Sequence, residues 1–219
     1  MTATFYSARN HLGVELGPEA TVAQLRTVAS RGFDYAVLAA ETAARIGPQV
    51  PGIGLVIRDA AASDDPLFVH LGPDDPVGPA AHADAVRVTA PDLAVAGAVR
   101  ERVRAAVAAA GRDPDGVPVL VDLDVHVDRG GRPGPAGLLK VSGSVADLAR
   151  VIEAAVRLRA ADGVTLLPRD PDTDLRRIAA ELIPLLAGRG LFRPGPAGPL
   201  RERLALGTHP VTVASVESA

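Results

Sequence analysis

The stretch SVADLARVIEAAVRLRAADGVTLLP, residues 144–168, decides the fold. Ser144 and Asp147 have the spacing of a capping box, in which each side chain satisfies the other's backbone amide. Leu148, Val151, Ile152 and Ala155 then recur on one helical face, which predicts an amphipathic helix with a single buried stripe. After Asp162-Gly163 the pattern changes to a short apolar run, Gly163 to Pro168, bounded by turn residues and read as a buried strand. A helix leading directly into such a strand is one step of a βα repeat, which implies a parallel sheet covered by helices.

The same alternation runs outward from this unit. Upstream, Thr2–Ala8 has strand composition, and residues 17–32 carry a helical pattern with Val22, Leu25, Val28 and Ala29 on one face and Thr21 and Gln24 spaced as a second capping box. FDYAVLA (33–39), IGLVI (53–57), LFVHL (67–71) and DAVRV (84–88) read as strands. Residues 92–110 carry a stripe of Ala96, Val99, Val103 and Val107 that Gly111 stops, and VPVLVDLDVHV (117–127) alternates strictly. Downstream, residues 172–188 form a last helix bent near Pro184, whose ring removes a backbone donor. About seven strands in this order fit an incomplete (β/α) barrel or an open doubly wound sheet, and periodicity does not choose between them.

Two connections are too short for a regular barrel. RDAAASDDP (58–66) has no room for the crossover helix of a dozen or more residues that parallel strands need. DRGGRPGPAG (128–137) is a Gly/Pro-rich connector where a helix is expected. The strand before it presents Asp122, Asp124 and His126 on one face. That face is expected to be solvated, as on a strand whose covering helix is missing. These three side chains could also be taken for metal ligands, but alternate strand residues stand about 6.8 Å apart and converge poorly on one ion, so no metal is expected.

Composition narrows the function. The 219 residues are 47% hydrophobic and 22% charged, enough for a sizeable core, with a net charge of −3. Lys140 is the only lysine, and no basic stripe with aromatic platforms suggests nucleic-acid binding. No apolar run of about 20 residues suggests a membrane span. The first residues lack a signal-peptide pattern, so a cytoplasmic location is expected. With no cysteine there is no thiolate nucleophile or disulfide. Dinucleotide, P-loop, zincin and nucleophile-elbow motifs are absent from the sequence. His11 and His70 fall near the ends of predicted strands, where α/β folds bind ligands, and are the candidate catalytic residues.

GSVADLA, ADGVTLLP, PLLAGRGLFR and LRERLALG, in this order between residues 143 and 207, resemble the C-terminal part of luciferase-like flavin-dependent monooxygenases. The nitrilotriacetate and dibenzothiophene-sulfone monooxygenase branch is the most similar. Upstream, RGFDYAVLAAE, IGLVI and LFVHLGPDDPVGPAAHADAVRVTAP are similar to further strands and to the family's phosphate loop. The resemblance implies a reduced TIM-type (β/α) barrel over residues 1–206 with a tail at 207–219, an internally shortened member of the family. It implies reduced FMN as cofactor, with Ser7, Asn10, Gly72 and Gly78 as the residues that would hold it, and a flavin reductase as a partner. Pro73, Asp74 and Asp75 depart from the Gly/Ser-rich loop of the relatives. Between Ile57 and Leu67, the relatives' pocket-closing segment is missing.

Three functions follow. The leading one is a non-catalytic or partner-dependent member, forming a homodimer or a heterodimer with a longer luciferase-like homologue. The alternatives are a small two-component monooxygenase using FMNH2 and O2, and a flavin or small-ligand binder without turnover.

Overall fold

The computed structural model describes residues 10–58, 68–127, 136–193 and 200–206. Eight strands form one sheet: β1 (His11–Glu15), β2 (Tyr35–Ala39), β3 (Gly54–Arg58), β4 (Phe68–Leu71), β5 (Ala85–Val88), β6 (Val119–Val127), β7 (Leu139–Gly143) and β8 (Gly163–Pro168). Every pairing is parallel. Seven strands follow the cyclic order of a barrel, β3-β2-β1-β8-β6-β5-β4, with no pairing between β3 and β4 among the described residues, and β7 lies off this path, paired with β6. The two strands joined by the short 58–66 linker are therefore the two ends of the sheet, as expected where no crossover helix can be accommodated. The fold is an incomplete TIM-type (β/α) barrel.

Helices α1 (Val22–Arg31), α2 (Ala40–Ile46), α3 (Leu93–Ala109), α4 (Val145–Arg157), α5 (Pro171–Arg177) and α6 (Ile183–Gly188) follow their strands. Both expected capping boxes are made reciprocally, Thr21 with Gln24 and Ser144 with Asp147. Leu12, Val14, Ala36, Leu38, Val86, Val121 and Leu166 point outward and join the helix stripes in the main core. Between α5 and α6 the helix adopts a π turn over Ile178–Leu182 in which the Ile183 amide donates to the Ile178 carbonyl. Pro184, one residue on, has no N–H to donate, and the helix accommodates it by shifting its hydrogen-bond register here.

The other strand face lines the barrel, where Tyr35, Val37, Val56 and Leu120 pack with Leu200 and Leu204. The last two belong to and follow the short helix α7 (Leu200–Arg203), which closes the N-terminal end of the barrel like a floor. Arg203 is buried beneath it and donates to the carbonyls of Phe33, Asp34 and Gly52, all just ahead of β2 and β3. Arg201 pairs with Asp84 at 2.9 Å, at the foot of β5. The LRERLALG signature thus builds scaffold.

One expectation needs correction. The polar face of residues 117–127 is not a solvated outer face: Asp122 and Asp124 turn into the barrel and are buried. Leu139–Gly143, past the connector at 128–137 and assigned no element from the sequence, is a strand on β6. The first described strand is His11–Glu15, whereas the strand expected at Thr2–Ala8 lies outside the described residues, as does the tail at 207–219.

Candidate site at the barrel mouth

Parallel barrels place ligands at the C-terminal ends of their strands, because the loops and helix N-termini converge there. At that end a chain of charges crosses the interior. Arg87 of β5, almost wholly buried, donates two hydrogen bonds to Asp122 of β6, at 3.0 and 2.8 Å, and one to Glu15 of β1 at 2.6 Å. Arg58, the last residue of β3, pairs with the other oxygen of Glu15. His70 of β4 completes the chain, with Nε2 at 3.2 Å from Asp122 Oδ2 and 2.8 Å from Thr89 Oγ1. Burial alone would lower the basicity of Arg87, but Asp122 and Glu15 outweigh it and hold the guanidinium above its ordinary pKa.

Below this layer the interior is filled. The Tyr35 hydroxyl lies 2.6 Å from Thr165 Oγ1, and its ring meets Phe68 with centroids 5.6 Å apart. Burial pushes the Tyr35 phenol far above its usual range. The ring reaches across β1 at Gly13, where a Cβ would sit 2.1 Å from a ring carbon. Only glycine leaves room for it there.

The sequence candidates divide between the two ends. His70 is at the mouth with its side chain 55% exposed. His11 begins β1 at the opposite end, so its expected place after a first strand is corrected. It is buried there, its Nδ1 has no hydrogen-bond partner among the described residues, and Asp34 Oδ2 lies 3.8 Å away. Asn10 is also at the floor, donating to the Leu191 carbonyl at 2.7 Å. Ser7 lies outside the described residues. Gly72 and Gly78 bracket the loop after β4, but the Gly72 amide donates to the Asp75 carboxylate at 2.7 Å. Arg102 from α3 holds the loop from behind through the carbonyls of Pro73 and Asp75.

This loop does not fit a flavin phosphate. Its first amide is taken by a carboxylate, Pro73 has no N–H, and Asp74 and Asp75 are both exposed negative charges. Sequence reasoning missed Arg87, Arg58 and Glu15 as site residues. The only signal for them was one charged residue within each otherwise apolar strand.

No protein-family model and no curated protein matches the chain. Solved structures do. The chain aligns with EDTA monooxygenase from Chelativorans sp. BNC1 at a TM-score of 0.73 and 13% identity, covering 91% of this chain and 98% of that one. A riboflavin lyase, solved with modified FMN and riboflavin, gives 0.73 at 11% identity over 90% and 95% of the two chains. A long-chain alkane monooxygenase gives 0.65 at 11% over 91% and 96%. Among the described residues no helix is long and apolar enough to cross a membrane. At such identities the likeness speaks for architecture, and on it the chain has the luciferase-like barrel fold, in an incomplete, open-sided form.

Proposed function

We propose that this chain is a non-catalytic luciferase-like barrel that serves as a partner subunit, in a homodimer or beside a longer luciferase-like homologue. The observation that carries this reading is the hydrogen bond from the Gly72 amide to Asp75, which fills the position from which the loop would hold a flavin phosphate. The filled interior around Tyr35 and Arg87 supports it. So does the open sheet, since β3 and β4 each pair on one edge only among the described residues. Unpaired strand edges are commonly covered by another element or another chain.

Given a flavin reductase, NADH and FMN, the chain alone is expected to give hydrogen peroxide at the uncoupled background rate. Substrate-dependent oxygen incorporation would restore the two-component monooxygenase reading. Light scattering of the purified chain should report a species larger than a monomer, and a stable monomer with cooperative unfolding would remove the support drawn from the open edges.

The loop makes a sharper prediction. Two unit charges about 5 Å apart at an effective dielectric of about 20 repel by roughly 3 kcal/mol before screening, and each 1.4 kcal/mol is about tenfold in affinity. FMN is therefore expected to gain nothing from this loop through its phosphate. Replacing Asp74 and Asp75 together by serine should tighten FMN binding about tenfold and leave riboflavin unchanged. Fluorescence titrations of both flavins against both proteins measure this, and equal FMN affinity in the two proteins would show that these carboxylates do not govern the site.

A further inference from the structure

We infer that the polar face shared by the C-terminal half of β6 and by β7 is a binding site for a small organic oxyanion, a carboxylate or a phosphate. β6 is the longest strand, at nine residues, and its two halves have different neighbours. On one edge it pairs with β8 through residues 120–125. On the other it pairs with β5 through residues 119–121 and with β7 through residues 123–127. Beyond Val121, β7 thus takes over from β5 along this edge of β6, while β8 still flanks the other edge as far as Val125.

Register places the side chains. Asp124 stands beside Lys140 and His126 beside Ser142, each pair on the same face. Strand neighbours are about 4.8 Å apart and successive rows on one face about 6.6 Å, so these groups span a patch of about 7 by 10 Å, within reach of the long Lys140 and Arg169 side chains. Arg169, one residue past the Val125–Pro168 pair, extends the His126 row and donates to Asp124 at 2.7 Å. Val125, Val127 and Val141 point the other way into the core, which fixes the orientation of the face.

Charge selects the ligand. Asp124 is the only carboxylate in the two rows, and Arg169 neutralises it. Asp174, near the end of β6, is taken up by the Val127 and Asp170 amides. Lys140 is exposed and makes no ion pair with a described residue, and Ser142 is exposed beside His126. A free ammonium, a hydroxyl, an imidazole and the half-exposed edge of Arg169 offer donors to one oxyanion, and among the described residues the carboxylates on this face of β6, Asp122 and Asp124, are already paired with Arg87 and Arg169. This site is separate from the Gly72 loop and does not depend on whether the chain turns over.

The test is an NMR titration of the full chain with potassium phosphate and with sodium succinate, each against chloride of matched ionic strength. Saturable shifts are expected in residues 123–127, 139–143 and 169, with either anion or both, and the stronger of the two identifies the source. Lys140→Gln, a change at an exposed position, should weaken binding about tenfold without altering the unfolding transition. No shift beyond chloride, shifts centred on residues 72–77, or unchanged affinity in K140Q would each overturn the proposal. FMN held here by its phosphate would lose affinity in K140Q, whereas FMN held by the Gly72 loop would not. The two readings can therefore fail separately.

Discussion

Arg87→Leu should cost about 3–5 kcal/mol of folding stability, the range seen when one partner of a buried ion pair is removed. The guanidinium is almost entirely enclosed and supplies the hydrogen bonds to both oxygens of Asp122, which is itself only 1% exposed. Leucine would leave that carboxylate inside the barrel with His70 as its remaining neighbour. Glu15 would fare better, because Arg58 still pairs with it. The second substitution follows from this asymmetry: Arg87→Leu with Asp122→Leu removes both charges and should recover most of the loss, as apolar replacement of a whole buried pair commonly does. Urea unfolding of the three proteins measures both effects. A loss below about 1 kcal/mol in the single variant would mean that water reaches this layer and that the charges are not buried as a unit.

The second large effect is expected at Gly13. An alanine there would place its Cβ 2.1, 2.2 and 2.6 Å from three carbons of the Tyr35 ring. Tyr35 cannot simply swing away, because Thr165 holds its hydroxyl and Phe68 lies against its ring. Overpacking of this kind typically costs about 1–3 kcal/mol, and the fixed ring puts Gly13→Ala at the upper end. Tyr35→Leu in the same chain should relieve the clash, so the double variant should lose less than the two single losses added together. Additive losses, measured by thermal and urea unfolding, would show that the ring does not cross β1 as described.

What the sequence disclosed, and what it hid, divides by distance along the chain. Thr21 with Gln24 and Ser144 with Asp147 are local pairs, and both caps form as their spacing predicts. The helix stripes and most strands are local patterns too, and they led to a βα sheet. The resemblance added the barrel because the stretch it rests on is scaffold: Leu200, Arg203 and Leu204 shape the floor at the N-terminal ends of the strands. The direction in which Asp122 and Asp124 face was hidden, since Arg87 lies 35 residues before Asp122 and Arg169 lies 45 residues after Asp124. Alternation shows that a strand has a polar face but not whether countercharges meet it. β7 was missed because its pairing follows a connector and its Lys140 and Ser142 dilute the apolar signal. His11 was misplaced because HLGVE is a strand chiefly through its neighbours, β2 and β8.

The pairing of β1 with β8 also sets the order of events during synthesis. β1 emerges from the ribosome early, yet one of its edges is paired by Gly163–Leu166, and the floor beneath the barrel waits for Leu200 and Leu204. At 5–20 residues per second, about 10–40 s separate translation of the first strand from translation of that floor. For this interval the N-terminal strands carry an unsatisfied edge and an uncovered apolar interior, the condition under which nascent chains engage chaperones or one another. A ribosome stalled before residue 163 would hold a chain unable to pair β1 with β8, and the burden on the cell's folding machinery should fall steeply once Leu200 and Leu204 are free to pack beneath the barrel.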